Sequence, residues 1–422
     1  MTADLGKSRL VELWHLMDDR NRELGLERYD LGDVHSHPLL RRLSRGRLGR
    51  VVARALRAPD LIAPLWWRAV LGVPRTVVPS VFYHLGLSYL DRERLAGGPA
   101  FPPGEANAVC EAALRRRLDA DLVCWQHPYS HHAAGWRSEA ESCPHPPSCA
   151  HHTGRVGFML VTVGRAHNRA QFIDAGTSAA RALLSYHAWH NYDDGSRTMS
   201  YYPFSDDEVI NTGLDAAMLL AAVPDRTDEM QAALDGLLRT ALAEQHPDGS
   251  WDYCTRRHYE RFGGPRVVDN HHTAMVLAAL ARILALGAAP EELLRPITQA
   301  IETGLRFYLD ELFLPDGTGL YFPGRRRRTG VVGYTEGIGA VRAALQKVCL
   351  LPRDLAMRAA AMLPILLSRA IDGFLDVQTG DVACCRFFGR PYHLRSARWG
   401  SAPLMQAVTD LLSLGNSEAT DD

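Results

Sequence analysis

Two histidine pairs, His151-His152 and His271-His272, offer the clearest chemistry in this chain. Imidazoles titrate near neutral pH, so they can act as general acids and bases or as ligands to a divalent metal. Each pair precedes a threonine, as His151-His152-Thr153-Gly154 and His271-His272-Thr273-Ala274. Three more phrases share the register: Ile210-Asn211-Thr212-Gly213, Gly333-Tyr334-Thr335-Glu336 and Ala397-Arg398-Trp399-Gly400. They recur about 60 residues apart, which is the mark of a repeat architecture. Residues in register share a rim, so the catalytic candidates are His152, His272, Tyr334 and Glu336, with Asp269 close by. Adjacent helical residues point about 100° apart, so one histidine of each pair faces a shared pocket and the other packs or bonds backbone.

The same rim offers groups that could hold a substrate. Asn211 and Arg398 are in register, and a guanidinium fork suits a carboxylate or phosphate. Trp399, Trp125, Trp251 and Trp136 could stack on a sugar ring or line an apolar channel, or simply pack between helical layers. Asp252-Tyr253-Cys254 with the later His272 supplies residue types that suit zinc. The alternative there is structural, with Cys254 buried and Asp252 capping a turn. Cys143, His145 and Cys149 lie just before the first histidine pair, in a spacing that fits no standard zinc finger.

These side chains need helices to position them. Thr273 to Leu286 has apolar residues at Val276, Leu277, Leu280, Ile283 and Leu284, a helical period, and Gly287 stops it. A second amphipathic stretch, Pro290 to Leu312, follows and ends in the turn Leu314-Pro315-Asp316-Gly317. Other units end alike, at Asp193-Asp194-Gly195, Pro247-Asp248-Gly249 and Gln378-Thr379-Gly380-Asp381. Such a hairpin cannot bury its own apolar face, so neighbours must pack side by side. The expected fold is all-α: an α/α toroid, or barrel, of five to six helical hairpins. Toroid repeats are expected over 121–415, a helical N-terminal region over 1–120 packed on or continuing them, and a disordered tail over 416–422.

Composition sets limits. The net charge of −1 leaves no general electrostatic footprint for nucleic acid. Met1 to Asp33 is charged and lacks the apolar segment of a signal peptide, and no run of about 18 apolar residues appears. The eight cysteines then read as free thiols, and the expected location is cytoplasmic. Residues 41–57 carry Arg41, Arg42, Arg45, Arg47, Arg50, Arg54 and Arg57, followed by Leu61-Ile62-Ala63-Pro64-Leu65-Trp66-Trp67. Residues 41–83 therefore suit a peripheral membrane contact or an anionic head group. The competing reading is an Arg-rich surface on a helix packed against the toroid.

Several segments carry a family resemblance. Asp269-Asn270-His271-His272-Thr273 after Gly249-Ser250-Trp251, Glu311-Leu312-Phe313 with Asp316-Gly317, and Arg398-Trp399-Gly400 are similar to phrases in bacterial proteins with prenyltransferase/squalene-oxidase-type repeats. Those proteins are found with polysaccharide-biosynthesis genes. The resemblance implies the toroid and points toward saccharide chemistry. Terpene cyclases share the toroid and resemble Asp269 to Ala274, with histidine here at the acid position; Asp206-Asp207-Glu208 is the other acidic cluster. Protein prenyltransferases resemble the Asp252, Cys254 and His272 set. Three functions follow as alternatives. The first is an enzyme on a glycan or lipid-linked saccharide, of hydrolase, lyase or epimerase type. The second is a terpenoid cyclase or prenyltransferase-like enzyme on an isoprenoid. The third is a non-catalytic glycan-binding protein. A polar cavity favours the first, and an apolar aromatic cavity the second.

Overall fold

The computed structural model describes residues 6–34, 37–43, 51, 55, 59–95, 104–128, 143–325, 327–346, 349–387, 389–392 and 394–417. The chain's early elements include helices α1 (Lys7–Leu24), α2 (Pro38–Leu43) and α3 (Pro64–Leu71). Helical hairpins follow, α4 (Ser80–Arg94) with α5 (Glu105–Arg115) and α6 (Ala150–Ala166) with α7 (Ala170–Tyr186). Next come α8 (Ile210–Ala222) with α9 (Asp228–Ala243), and the short α10 (Arg256–Phe262). The series ends with α11 (Asn270–Ala285) and α12 (Glu291–Glu311), α13 (Val331–Ala344) and α14 (Arg353–Phe374), and a π turn, Ala397–Ser401, leading into α15 (Ala402–Ser417). Two antiparallel ribbons, Trp189–Asn191 with Arg197–Met199 and Cys385–Phe387 with Arg390–Tyr392, edge the barrel.

The inner ring is closed. Helix α4 packs on α6, α6 on α8, α8 on α11, α11 on α13, α13 on α15, and α15 back on α4. Each inner helix has an outer partner: α5, α7, α9, α12 and α14 in turn, with α1 covering α15. The chain's first long helix therefore backs its last one. Inner helices lie between the lumen and the outer layer, so they are apolar on nearly every side; all of α8 is buried. Outer helices need one stripe only. In α12 that stripe is Leu293, Ile297, Ala300, Ile301, Gly304, Leu305 and Tyr308, where each buried Leu or Ile contributes about 2 kcal/mol.

The five recurring phrases sit where inner helices begin, at α6, α8, α11, α13 and the π turn before α15. The returns from α7, α9, α12 and α14 are also built alike. Asp194, Asp248, Asp316 and Asp376 each accept the backbone N–H two residues on, at 2.9 Å. Gly195, Gly249, Gly317 and Gly380 complete these turns at φ 78°, 94°, 78° and 75°. At Gly249 the requirement is double, because a Cβ there would also sit 2.3 Å from the Thr303 carbonyl oxygen on α12. Gly249→Ala is expected to lower stability by more than about 1 kcal/mol, read as a fall in Tm; an unchanged Tm would mean the turn yields without strain.

Candidate active site

The lumen register follows from the helical period. Four residues after His151 on α6 comes Arg155, and four after Asn211 on α8 comes Asp215, so each pair shares a face. Arg155 is buried at the centre of the ring. Its Nε donates to Asp215 at 3.0 Å, its Nη1 to Glu336 on α13 at 2.8 Å, and Nη1 also lies 3.4 Å from His84 Nε2 on α4. The guanidinium sits 4.8 Å from the Tyr83 ring centroid. His151 Nδ1 meets the other Asp215 oxygen at 2.7 Å, and His84 Nδ1 meets Gln406 on α15 at 2.6 Å. One cation on α6 thus gathers groups from three other inner helices. The approach of α6 to α8 depends on Gly154, where a Cβ would fall 2.8 Å from the Asp215 backbone.

Above this layer lies the mouth. Asp269 caps α11 by accepting the His272 backbone N–H at 2.9 Å, and its second oxygen meets His272 Nδ1 at 2.7 Å. That contact makes Nδ1 the protonated nitrogen, which leaves Nε2 as a lone pair. The His272 side chain is 27% exposed against 4% for Asp269, so solutes can reach the imidazole while its carboxylate stays dry. Tyr253 covers one side at 4.4 Å between ring centroids. His271 lies 5.6 Å from the Trp399 ring. Arg398 reaches over Trp399 at 4.4 Å and donates to His127 Nε2 at 3.0 Å, and His127 in turn stacks on His152 at 4.9 Å.

Burial and charge divide the protonation states. Burial pushes His84 down to about 4 and His271 to about 3, so both are neutral bases. His151 is also driven well down, by burial and then by Arg155 and Arg398. Burial raises Asp215 to about 6 against the pull of Arg155. Burial would raise Glu336 too, but the charge of Arg155 outweighs it and holds that carboxyl well below the usual range. Asp269 likewise ends low, because His272 outweighs its burial. Two buried atoms at this level, Asn211 Oδ1 and His271 Nδ1, find no hydrogen-bond partner among the described residues.

The expected site residues separate into two groups. His272, Asp269, Glu336, Asn211, Arg398 and Trp399 lie at the mouth or on the lumen layer. His152 is at the same level but fully buried beneath His127; its neighbour His151 makes the contact with Asp215. Tyr334 is displaced from the expected role: it packs beside Phe313 and Phe374 between the layers, and its hydroxyl accepts the Gly319 amide at 2.8 Å. Trp125 and Trp251 are buried between layers too, with indole N–H groups donating to the Ala113 and Ala241 carbonyls at 2.9 and 2.8 Å. Trp136 lies outside the described residues. The proposed zinc set does not assemble. Asp252 is bonded by His246 at 3.1 Å, and Cys254 is buried in a cluster with Tyr201, Tyr202 and Val209. Among the described residues no group of three His, Cys, Asp or Glu side chains could hold a metal. Glu208, in the other acidic cluster, accepts the Thr255 and Tyr192 hydroxyls at 2.8 and 2.9 Å. His84, Arg155 and Asp215 are the site residues that sequence reasoning missed; the four-residue spacing from His151 and Asn211 was the available signal for two of them.

No protein-family model and no curated protein sequence matches the chain. Solved structures do. The cellobiose 2-epimerase of Bacillus thermoamylovorans B4167 aligns with TM-score 0.56 at 10% identity, covering 79% of this chain and 90% of that one. A family 105 glycoside hydrolase of C. acetobutylicum ATCC 824 aligns with TM-score 0.56 at 10% identity, covering 84% and 98%. An inactive variant of the GH76A α-1,6-mannanase of Salegentibacter sp. HEL1_6, in complex with α-1,6-mannotriose, gives TM-score 0.52 at 9% identity, covering 80% and 91%. The fold is the α/α toroid.

Two expectations follow from the geometry. Arg155→Met leaves Asp215 and Glu336 buried without their cation and is expected to cost about 3–5 kcal/mol, measured by denaturant unfolding; a loss under about 1 kcal/mol would mean water reaches the acids. His187, beside the site, donates from Nδ1 to the Ser200 carbonyl at 3.0 Å and accepts the Ser148 hydroxyl at Nε2, 3.1 Å. Burial lowers it from 6.5 to about 4. As pH falls below 6.5 the unfolded chain takes up a proton that the folded one refuses until about 4, so stability falls across that window. The fall in Tm from pH 7 to pH 5 should be smaller in His187→Gln, and equal slopes would assign the acid sensitivity elsewhere.

Proposed function

We propose that this chain is an enzyme acting on a glycan, and that its chemistry is proton transfer centred on imidazoles at the toroid mouth. The observation that carries the reading is the Asp269–His272 pair, a buried carboxylate orienting an accessible imidazole. In that pair His272 Nε2 removes a proton, and Asp269 steadies the imidazolium that results. A second imidazole, His271 or the Asp215-bonded His151, lies on the lumen side to receive or return one. Arg398 and the N-terminal ends of the inner helices favour a carboxylate or a developing enolate oxygen. Trp399 offers a face for a sugar ring.

Within the glycan class, the site favours epimerisation or elimination over hydrolysis by two carboxylates. Such hydrolysis needs one carboxyl protonated as acid and another free as base or nucleophile. Here Glu336 is tied to Arg155 and Asp269 to His272, and both are held ionised. Asp215 is engaged by Arg155 and His151 together. The similar epimerase and glycoside hydrolase structures support saccharide as the substrate class. A lumen layer of Arg155, Asp215, Glu336 and His84 speaks against an apolar isoprenoid cavity.

Incubating the protein in D2O with reducing disaccharides and with uronate oligosaccharides separates these chemistries. Epimerisation places solvent deuterium on the carbon beside the carbonyl, and elimination yields an unsaturated uronate. Monosaccharide release without either would overturn the proton-transfer reading in favour of hydrolysis. His272→Gln is expected to reduce turnover about 100-fold or more. Asp269→Asn should reduce it about 10- to 100-fold while keeping the helix cap. Saccharide binding without turnover in the wild type would identify a binding protein instead.

A further inference from the structure

One surface of the N-terminal segment has no counterpart in the ring. Helix α3 is two-sided. Its Arg68 is fully buried: Nε donates to Asp33 at 2.8 Å, Nη1 lies 3.2 Å from the Tyr392 hydroxyl, Nη2 donates to the Asp30 carbonyl at 3.2 Å, and Asp60 completes the cage. Leu65 and Leu71 pack on a small apolar cluster that includes Tyr29, Leu40, Val73 and Leu394. The opposite side presents Trp66 and Val70, spaced by four residues and 60% and 55% exposed, and Ile62, just before the helix, is 87% exposed. Leu61 and, from α2, Leu39 are exposed as well. Exposing three large apolar side chains, two on an anchored helix and one on the segment leading into it, is costly unless something covers them.

Charge indicates what that something is. From Val34 to Pro59 the sequence contains seven arginines and no acidic residue. Most of those arginines lie outside the described residues, but Arg42 on α2 is described and exposed, as is Arg75 just beyond α3. The acid nearest the face, Asp60, is engaged by Arg68 and the Tyr392 hydroxyl. Exposed aromatic and aliphatic side chains that follow an arginine-rich segment match the interface of an anionic bilayer: apolar side chains enter the acyl boundary while guanidinium groups meet phosphate. No helix among the described residues is long and apolar enough to cross a membrane, so the contact is peripheral.

We propose that the Ile62–Trp66–Val70 face docks this protein on an anionic phospholipid surface, and that docking sets the toroid mouth beside the bilayer. The second part follows from the anchor. Asp30, whose carbonyl Arg68 holds, accepts the Trp399 indole N–H at 2.9 Å, and Trp399 lies against His271 at the mouth. The docking helix and the site therefore share one rigid connection, two residues long. A saccharide carried on a lipid would meet the site without leaving the membrane surface; this last step rests on the glycan reading above.

Co-sedimentation of the full chain with vesicles tests the docking without any substrate, so its failure and that of the glycan reading are separately visible. Vesicles of phosphatidylcholine containing one third phosphatidylglycerol should retain the protein at least about tenfold better than phosphatidylcholine alone, and high salt should weaken the retention. The double variant Ile62→Ser, Trp66→Ser should lose at least about tenfold in retention with an unchanged Tm, since both side chains are exposed. Absence of sedimentation, or equal retention on neutral and anionic vesicles, overturns the proposal. So does a lipid-free dimer, seen by light scattering, that the double variant dissolves, because the face would then belong to a second copy.

Discussion

A buried guanidinium holds the centre of this molecule. Arg155 is removed from water inside the ring, and such burial is tolerable only with carboxylates in good geometry around it. Those carboxylates come from different helices, Asp215 on α8 and Glu336 on α13, and neither neighbours Arg155 in sequence. The inner helices must therefore close to one radius and one rotational setting before the charges are satisfied. Apolar packing can bring helices together in several phases; the ion cluster accepts only one. Small residues such as Gly154 let the backbones come close enough for it.

That same cluster decides which groups stay free for chemistry. With Glu336 and Asp215 both bonded to Arg155, Glu336 is held as a fixed charge and Asp215 is engaged on both oxygens. Burial leaves His84, His151 and His271 neutral, and the accessible imidazole with an oriented tautomer is His272. The proposed proton transfer at the mouth rests on that arrangement, with the layer beneath setting the field around it. The ion cluster and the candidate site share residues, so the inner ends of the helices cannot be repacked without altering both.

The N-terminal segment contributes at both levels. Helix α1 backs α15 and completes the outer layer, with Arg20 bonded to Asp381 across the closure at 2.7 Å. The loop after it carries Asp30 and Asp33, which fix Arg68 on one side and Trp399 on the other. A region that stands apart in sequence is thus joined to the mouth through side-chain hydrogen bonds. Its exposed apolar row is held at a defined place relative to the site.

Much of this was legible in the amino-acid order, because it depends on local rules. The recurring threonine phrases, the helical period and the Asp-Gly turns each follow from the geometry of a few consecutive residues, and they name the toroid and the level of its mouth. Asp269 and His272 were both legible as candidates, and an N-cap aspartate three residues before a histidine brings its carboxylate to that residue's backbone N–H. That the imidazole also turns toward it is seen only in the structure. Other features depend on helix phase around a closed ring. Whether His151 or His152 faces the lumen, and whether Tyr334 turns inward or between layers, is set by how each helix rotates against two neighbours. The helical period puts Arg155 on the face of His151 and Asp215 on the face of Asn211, but no local rule joins these to one another or to His84. Only the tertiary structure does, because a buried charge is satisfied by partners that are distant in the chain and adjacent in space.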